Sequence, residues 1–159
     1  MRLHRISTMT IFFSILLFVN AESQVIEKKG IGLALAKQIA AAAEAEAAKN
    51  NWNVVISIVD DGGHLVYVQR MDNTQTGSIE IAIQKAKAAI AFKRPTKAYE
   101  EMVAGGRTAI LSLPGVIAIE GGIPLMVKDQ FIGAIGVSGV KATEDGQIAK
   151  AGADILKGF

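Results

Sequence analysis

The sequence predicts an α+β domain in which helices pack against an antiparallel sheet. Two observations support this fold class: short β-branched runs follow one another through tight turns, and alanine-rich segments with helical spacing occur among them. Neighbouring strands that are joined by tight turns pair in the antiparallel direction. The predicted order of a helix, two strands, helices, three strands and a helix also lacks the strict alternation that a parallel sheet needs.

The first part of the domain is predicted to hold a helix and a hairpin. Residues 31–50 are rich in alanine, and Leu35 and Ile39 recur at the spacing of one helix face. Residues 54–59 and 64–71 are predicted strands. The four residues between these strands, Asp-Asp-Gly-Gly, favour the turn of a hairpin.

The second helix is predicted to begin at Ser78, a favourable N-cap residue, and to end before Pro95, because the residue before a proline resists helical geometry. A short third helix is predicted at residues 97–104, with Gly105 placed to close it. The rest of the chain is predicted to form three strands and a final helix, at residues 116–119, 125–128, 131–137 and 144–157.

Residues 1–21 have the features of a secretory signal peptide. Arg2 and Arg5 give a basic start, an apolar stretch covers residues 9–19, and small residues follow at the cleavage position. This apolar stretch is shorter than the roughly 20 residues that span a bilayer. We therefore expect an exported protein, periplasmic or secreted, with no membrane span after signal removal and one mature domain at residues 22–159.

The charge balance argues against nucleic acid as a partner. The chain has 17 lysine and arginine residues against 15 aspartate and glutamate residues. Arg2 and Arg5 belong to the predicted signal, so the mature chain is expected to hold 15 charges of each sign. No basic patch with interleaved aromatic residues remains. The lack of cysteine excludes disulfides, thiolate metal sites and cysteine-ligated haem.

Lys85 is notable because it lies within the apolar face of the second predicted helix. On a helical projection it falls between Ala89 and Phe92, opposite the polar side that carries Glu80 and Lys87. An ammonium group in that position must reach the rim or find an anionic partner, because its isolated burial is costly. Two interpretations stay open: a snorkelling or ion-paired structural lysine, and a lysine that binds a ligand carboxylate.

Arg70, Met71 and Asp72 stand where the second strand ends and a polar loop begins, a frequent position for functional side chains. Arg70 is suited to a forked contact with a ligand carboxylate, or to a structural pair with Asp72 or Glu80. Met71 is a candidate contact for a flat ligand or an axial ligand of haem iron, and the alternative is a core residue. We expect these three residues to contribute to a ligand site.

His64 is the one histidine of the predicted mature chain, and on strand alternation it shares a face with Arg70. Imidazole is a frequent ligand of metals and of haem. Asp60 and Asp61 precede it closely, so these three residues are also candidates for a weak surface metal site. The alternative is an exposed turn histidine without a role.

Glycines interrupt the predicted strands at unusual places. Gly133 and Gly136 lie inside one strand, and Gly121 and Gly122 precede another. Glycine in a strand weakens pairing and usually marks a bulge or the close approach of another backbone or a ligand. These positions therefore predict that a helix or a flat ligand lies close to the sheet.

Two segments resemble the GlcG/HbpS-like family, also called the haem-degrading or DUF336 domain. The first is Arg70-Met71-Asp72 followed by the helical residues 78–92, and the second joins Gly121-Gly122-Ile123-Pro124 to residues 133–139. The resemblance implies a profilin-like arrangement, a five-stranded antiparallel sheet flanked by helices. It departs from the family at Ala88, where the family often has a threonine.

The resemblance implies binding of haem, with a corrinoid as the alternative, and assembly into a homo-oligomer. Lys85, Arg70, Arg94 and Arg107 are the candidate partners for ligand carboxylates, so an exported tetrapyrrole-binding protein is the favoured hypothesis. An enzyme that acts on haem or a small hydroxy acid has less support, because no pair of nucleophile and oriented base is recognisable. An oligomeric interaction subunit without catalysis is the third hypothesis.

Overall fold

The computed structural model describes residues 26–159, so the predicted signal peptide at residues 1–21 lies outside the described residues. The described part is a mixed α+β fold with four α-helices and four strands. The helices and strands, in chain order, are α1 Leu33–Lys49, β1 Val55–Asp60, β2 Leu65–Arg70, α2 Ser78–Ala91, α3 Lys97–Ala104, β3 Gly122–Val127, β4 Gln130–Ser138 and α4 Ala142–Asp154. Two 3₁₀ helices, Thr108–Ser112 and Ile155–Gly158, complete the regular structure.

The sheet is antiparallel throughout, with strand order β2-β1-β4-β3. The two hairpins, β1–β2 and β3–β4, therefore meet through their first and last strands in the centre of the sheet. In the central pair, Val55 lies opposite Ser138 and Ile58 lies opposite Ile135. This register places both hairpin turns at the same end of the sheet, because Asp60 lies opposite Gly133.

The prediction of five strands is wrong, since residues 116–119 form no strand. The amide that begins this segment and the amide that follows it bond to a turn carbonyl and to a side chain. The amide of Val116 donates to the carbonyl of Leu113, and the amide of Glu120 donates to the Glu100 carboxylate at 2.6 Å. These two amides are therefore not available to extend the sheet at its β3 edge.

The sheet separates two apolar clusters. Helices α1 and α4 pack against each other and cover one face, where Ile39, Ile56 and Ile148 are fully buried in the main core. Helix α2 covers the other face, where Val59 and Ala86 belong to a smaller cluster. Helix α2 lies mainly over β4, β1 and β3.

Glycines in the sheet allow α2 to approach the strands closely. A Cβ atom on Gly136 would overlap the carbonyl oxygen of Ala82, and one on Gly122 would overlap the carbonyl oxygen of Lys85. Both carbonyls belong to α2. The glycine pattern predicts that either a helix or a flat ligand lies close to the sheet. At these two positions it is a helix.

Candidate functional site

Lys85 is a buried structural cation. Its side chain is 1 % exposed, and its ammonium group donates to Asp145 Oδ2 at 2.8 Å and to the carbonyl of Val137 at 3.0 Å. Asp145 lies in the first turn of α4, and its other oxygen accepts the amide of Val140. Lys85 therefore ties α2 to β4 and to the start of α4. Of the two interpretations left open by the sequence, the structure has the ion-paired structural lysine and not the lysine that binds a ligand carboxylate.

The pair is enclosed tightly, and its environment affects the titration of Asp145. Burial raises the pKa of Asp145 above its usual value, while the hydrogen bond and the charge of Lys85 act in the opposite direction. Gly121 packs over the ammonium group, because a Cβ atom there would lie 2.9 Å from Lys85 Nζ. The ammonium is thus surrounded by Asp145, the carbonyl of Val137 and the backbone of Gly121.

Arg70, Met71 and Asp72 line an open hollow of about 350 Å³, together with Glu44, Asn53 and Asn73. We call it the Arg70 hollow. Within residues 26–159, Arg70 forms no ion pair, so the structural pairs with Asp72 or Glu80 are not formed. Met71 is half-buried and packs against the main core, as the core alternative predicts.

His64 lies at the turn between β1 and β2, with its side chain 84 % exposed. Its Nδ1 is 3.3 Å from Asp60 Oδ1, and the same oxygen accepts the amides of Gly62 and His64. Asp61 instead faces Lys28, at 3.6 Å. In the part of the chain that the structure describes, no three histidine, aspartate or glutamate side chains are grouped as a metal site, so His64, Asp60 and Asp61 are not arranged as one.

The structure does not bring the predicted site residues together on one surface. Lys85 is buried, while His64 and Arg70 lie at opposite ends of β2, about 20 Å apart at the rise of a strand. Arg94 stacks its guanidinium over the Tyr99 ring at 5.7 Å, and Arg107 is exposed just before the first 3₁₀ helix. A ligand site that uses Lys85, Arg70 and His64 at once is not available.

A second hollow, of about 310 Å³, opens at the end of the sheet where the two hairpin turns lie. We call it the Phe131 hollow. Ile90 and Phe131 supply apolar walls from the end of α2 and the start of β4. The full set of lining residues is Ile26, Glu27, Lys28, Lys29, Asp61, Ile90, Lys93, Asp129, Gln130 and Phe131.

Charged side chains of both signs surround the Phe131 hollow, three lysines and three carboxylates. Lys28 faces Asp61, as described above. The ammonium of Lys93 instead lies over the Phe131 ring, 5.4 Å from its centroid. The hollow thus combines an aromatic wall with an exposed ammonium held against it.

Three residues near this hollow have left-handed backbone conformations that side chains rarely adopt. Lys93, just beyond α2, has φ 52°, and Lys128 and Asp129 in the β3–β4 turn have φ 46° and 63°. Glycine or asparagine is the usual occupant of such positions, because a Cβ atom costs about 1–2 kcal/mol there. Strain of this kind is often found at functional sites.

The sequence matches the family described as "Haem degrading protein HbpS-like" over residues 31–154. The chain belongs to this family. It is 48 % identical over 104 residues to "Protein GlcG" of Escherichia coli strain K12, which covers 65 % of this chain and 78 % of GlcG.

Solved structures agree with the assignment. The Klebsiella pneumoniae protein ORFY, of the family DUF336, superposes with a TM-score of 0.77 at 34 % identity, covering 87 % of this chain and 97 % of ORFY. A PduOC:haem complex superposes with a TM-score of 0.71 at 28 % identity, covering 79 % of this chain and 94 % of that chain. The resemblance found in the sequence is confirmed.

Within residues 26–159, no helix is both long enough and apolar enough to cross a membrane.

Of the residues that line the Phe131 hollow, sequence reasoning named Asp61, as a candidate metal ligand, and it missed the apolar walls and Lys93. Ile90 and Phe131 read as ordinary core positions, and Lys93 reads as a polar residue between a helix and a proline. One signal was present: the chain leaves a helix shortly before Pro95 without a glycine, so any left-handed residue that closes this helix carries a side chain. The clustering of the two hairpin turns gave no sequence signal.

Proposed function

We propose that the protein binds haem or a related acidic tetrapyrrole in the Phe131 hollow. The observation that carries the proposal is the half-buried aromatic ring of Phe131, which lines the hollow with the Lys93 ammonium over it, in a member of a haem-related family. A haem-bound relative of the same fold supports the choice of ligand class.

The lining residues fit the chemistry of such a ligand. A flat macrocycle gains from contact with the Phe131 ring and the Ile90 side chain, which remove apolar surface from water. Its carboxylates require cationic partners, which Lys93 and Lys29 can supply. Corrinoids with amidated side chains lack these carboxylates, so the lysines favour a haem-type ligand.

The size of the hollow determines how much of the ligand is covered. At about 310 Å³ it stands at the low end of the range for small-molecule sites, about 300–1,000 Å³. A tetrapyrrole would therefore be gripped along one edge, with the rest of the macrocycle in solvent. Capture and transfer of a ligand suit such an open site better than chemistry that needs water excluded.

His64 does not line the hollow, but it belongs to the same turn as Asp61, and its exposed imidazole would be the group that holds the iron of a bound haem. Its Nδ1 is directed toward the Asp60 carboxylate, which leaves Nε2 open to solvent. A histidine that ligates a metal usually donates its other ring N–H to a carboxylate or a carbonyl. When bound, haem would supply a redox-active iron.

Titration of haemin into the full chain tests the proposal. We expect a saturable shift of the haem absorbance band, weakened several-fold in Phe131→Leu and altered in wavelength in His64→Ala. Phe92→Leu is the matched control, because Phe92 is also half-buried but packs edge-on against Tyr99 instead of lining the hollow. Absence of saturable binding by the wild-type protein would overturn the proposal.

Export and assembly belong to the same proposal. We propose that residues 1–21 direct the protein to the periplasm or the medium, on the basis of their basic start and apolar stretch. Amino-terminal sequencing of the protein from an exporting host should then begin after Ala21.

We also propose a homo-oligomer, and light scattering that gives a monomer mass at working concentration would contradict it.

A further inference from the structure

We infer that Lys93 is the residue that selects ligands with a carboxylate, and that it does so by leaving the Phe131 ring for the carboxylate. The inference rests on the proposed function, because it names how the Phe131 hollow recognises its ligand. It assigns a specificity role to one residue that the sequence pattern did not single out.

The backbone at Lys93 shows that lysine is not there for the sake of the fold. Lys93 follows the C-cap residue Phe92 with φ 52°, and its amide donates to the carbonyl of Ile90. Glycine is the residue that closes a helix in this conformation most easily. The conformation therefore gives no reason for a side chain at this position, and the contact that the lysine side chain does make is with the Phe131 ring.

The contact made by the side chain is weak enough to be exchanged. The ammonium lies 5.4 Å from the Phe131 centroid, and Lys93 is exposed. The ring attracts the ammonium only through its quadrupole. A carboxylate carries a full opposite charge and also accepts hydrogen bonds from the ammonium. The ammonium of Lys93 therefore prefers a ligand carboxylate to the Phe131 ring.

The exchange also prepares the ring for the ligand. While the ammonium rests on Phe131, it occupies the ring face that a flat ligand would cover. When a carboxylate draws the ammonium away, that face becomes available for stacking. One movement of Lys93 thus forms the ion pair and uncovers the ring for stacking. A ligand without a carboxylate must displace the ammonium from the ring without gaining an ion pair in return.

The other lysines of the hollow are placed differently. Lys28 already faces the carboxylate of Asp61 at 3.6 Å. Lys29 lies on the segment that precedes α1 and is not fixed by a helix end. Lys93 is held by the end of α2 and forms no ion pair with any residue from 26 to 159.

Lys128 offers a matched control. It is a lysine in the same left-handed conformation, with φ 46°, and it belongs to the β3–β4 turn beside the hollow without lining it. Replacement of either lysine by glycine removes one positive charge and relieves the same backbone strain. Only the position relative to the hollow differs between Lys93→Gly and Lys128→Gly.

The test compares haemin with its dimethyl ester, in which both carboxylates are blocked, on the wild-type full chain and on three variants, Lys93→Gly, Lys128→Gly and Lys93→Arg. We expect Lys93→Gly to weaken haemin binding about tenfold, or about 1.4 kcal/mol, and to leave ester binding unchanged or stronger. Lys128→Gly should bind both ligands within about twofold of wild type, and Lys93→Arg should restore most of the preference for haemin.

The outcomes separate the two proposals. Wild-type haemin affinity in Lys93→Gly, or an equal loss for haemin and ester, would overturn the role of Lys93 and leave the proposed function standing. Failure of the wild-type protein to bind either ligand would overturn both.

Discussion

Lys85 lies within helix α2 and Lys93, eight positions later, lies just beyond its end, and the two lysines have opposite environments. Lys85 is enclosed, with its ammonium bonded to Asp145 and to the carbonyl of Val137. Lys93 is exposed and rests on an aromatic ring. The comparison teaches that a cation among apolar residues is available to a ligand only when the fold has not already supplied its counter-charge.

The same contrast applies to the two regions around these lysines. Near Lys85, protein atoms occupy the space that a Cβ atom would take at Gly121 and Gly122, so this region is tightly packed. Near Lys93 the non-glycine residues Lys128 and Asp129 take conformations that glycine would take more easily, around an open hollow. The first region stabilises the fold, and we propose that the second holds the ligand.

The largest expected effect comes from breaking the buried pair. Asp145→Asn would leave the ammonium of Lys85 buried without a counter-charge, which costs about 3–5 kcal/mol. Urea unfolding monitored by circular dichroism measures the change in the free energy of unfolding. Asp154→Asn is the control, since Asp154 pairs with Lys157 at the exposed end of α4 and should matter much less. Equal effects in both variants would contradict the structural role of Lys85.

A smaller but clear loss is expected where α2 meets the sheet. Gly136→Ala would place a methyl group against the backbone of α2 at Ala82, and overpacking of this kind costs about 1–3 kcal/mol or more. Gly77→Ala is the control, because Gly77 has right-handed backbone angles and open space around it. Thermal unfolding should show a lower Tm for Gly136→Ala alone. A tolerated alanine at both positions would mean that α2 lies farther from the sheet.

Lys93→Gly should change stability little, in contrast to the variants around Lys85. Relief of the left-handed strain, about 1–2 kcal/mol, is offset by the greater chain entropy of glycine and by the lost ring contact. We expect a free energy of unfolding within about 1 kcal/mol of wild type. A loss well beyond that value in urea unfolding would assign Lys93 to the fold.

The smallest effect concerns the turn that carries His64. Partial burial acts to raise the pKa of Asp60, but the amides of His64 and Gly62 and the charge of His64 outweigh it, so the pKa is lowered from 3.8. A lowered carboxyl pKa stabilises the fold above the unfolded value and loses that contribution as the pH falls through the folded value.

Asp60→Asn should therefore lower the Tm slightly near neutral pH, and the difference from wild type should shrink as the pH falls below 3.8 and through the lowered pKa of Asp60. Asp72→Asn is a suitable control, because Asp72 is an exposed carboxylate on the other end of β2. A difference that grows toward acid pH would have the wrong sign for this account.

Much of the fold could be predicted from local patterns. The hairpin at residues 54–59 and 64–71 corresponds to β1 and β2, and the second helix begins at Ser78, with Gly77 instead of Ser78 as its N-cap. Residues 116–119 were mistaken for a strand because an apolar run satisfies the same pattern whether or not a ladder partner is present.

The sequence by itself determined the family, the α+β class, the antiparallel hairpins and the prediction that glycines mark a close approach to the sheet. These features depend on residues that are near neighbours in the chain, such as turn residues and repeating apolar positions. Only the tertiary structure decided that Asp145, 60 positions away, neutralises Lys85, and that the two hairpin turns place Phe131 beside Lys93. The physical reason is that burial and charge pairing depend on which distant segments the core brings together, and no local spacing encodes that choice.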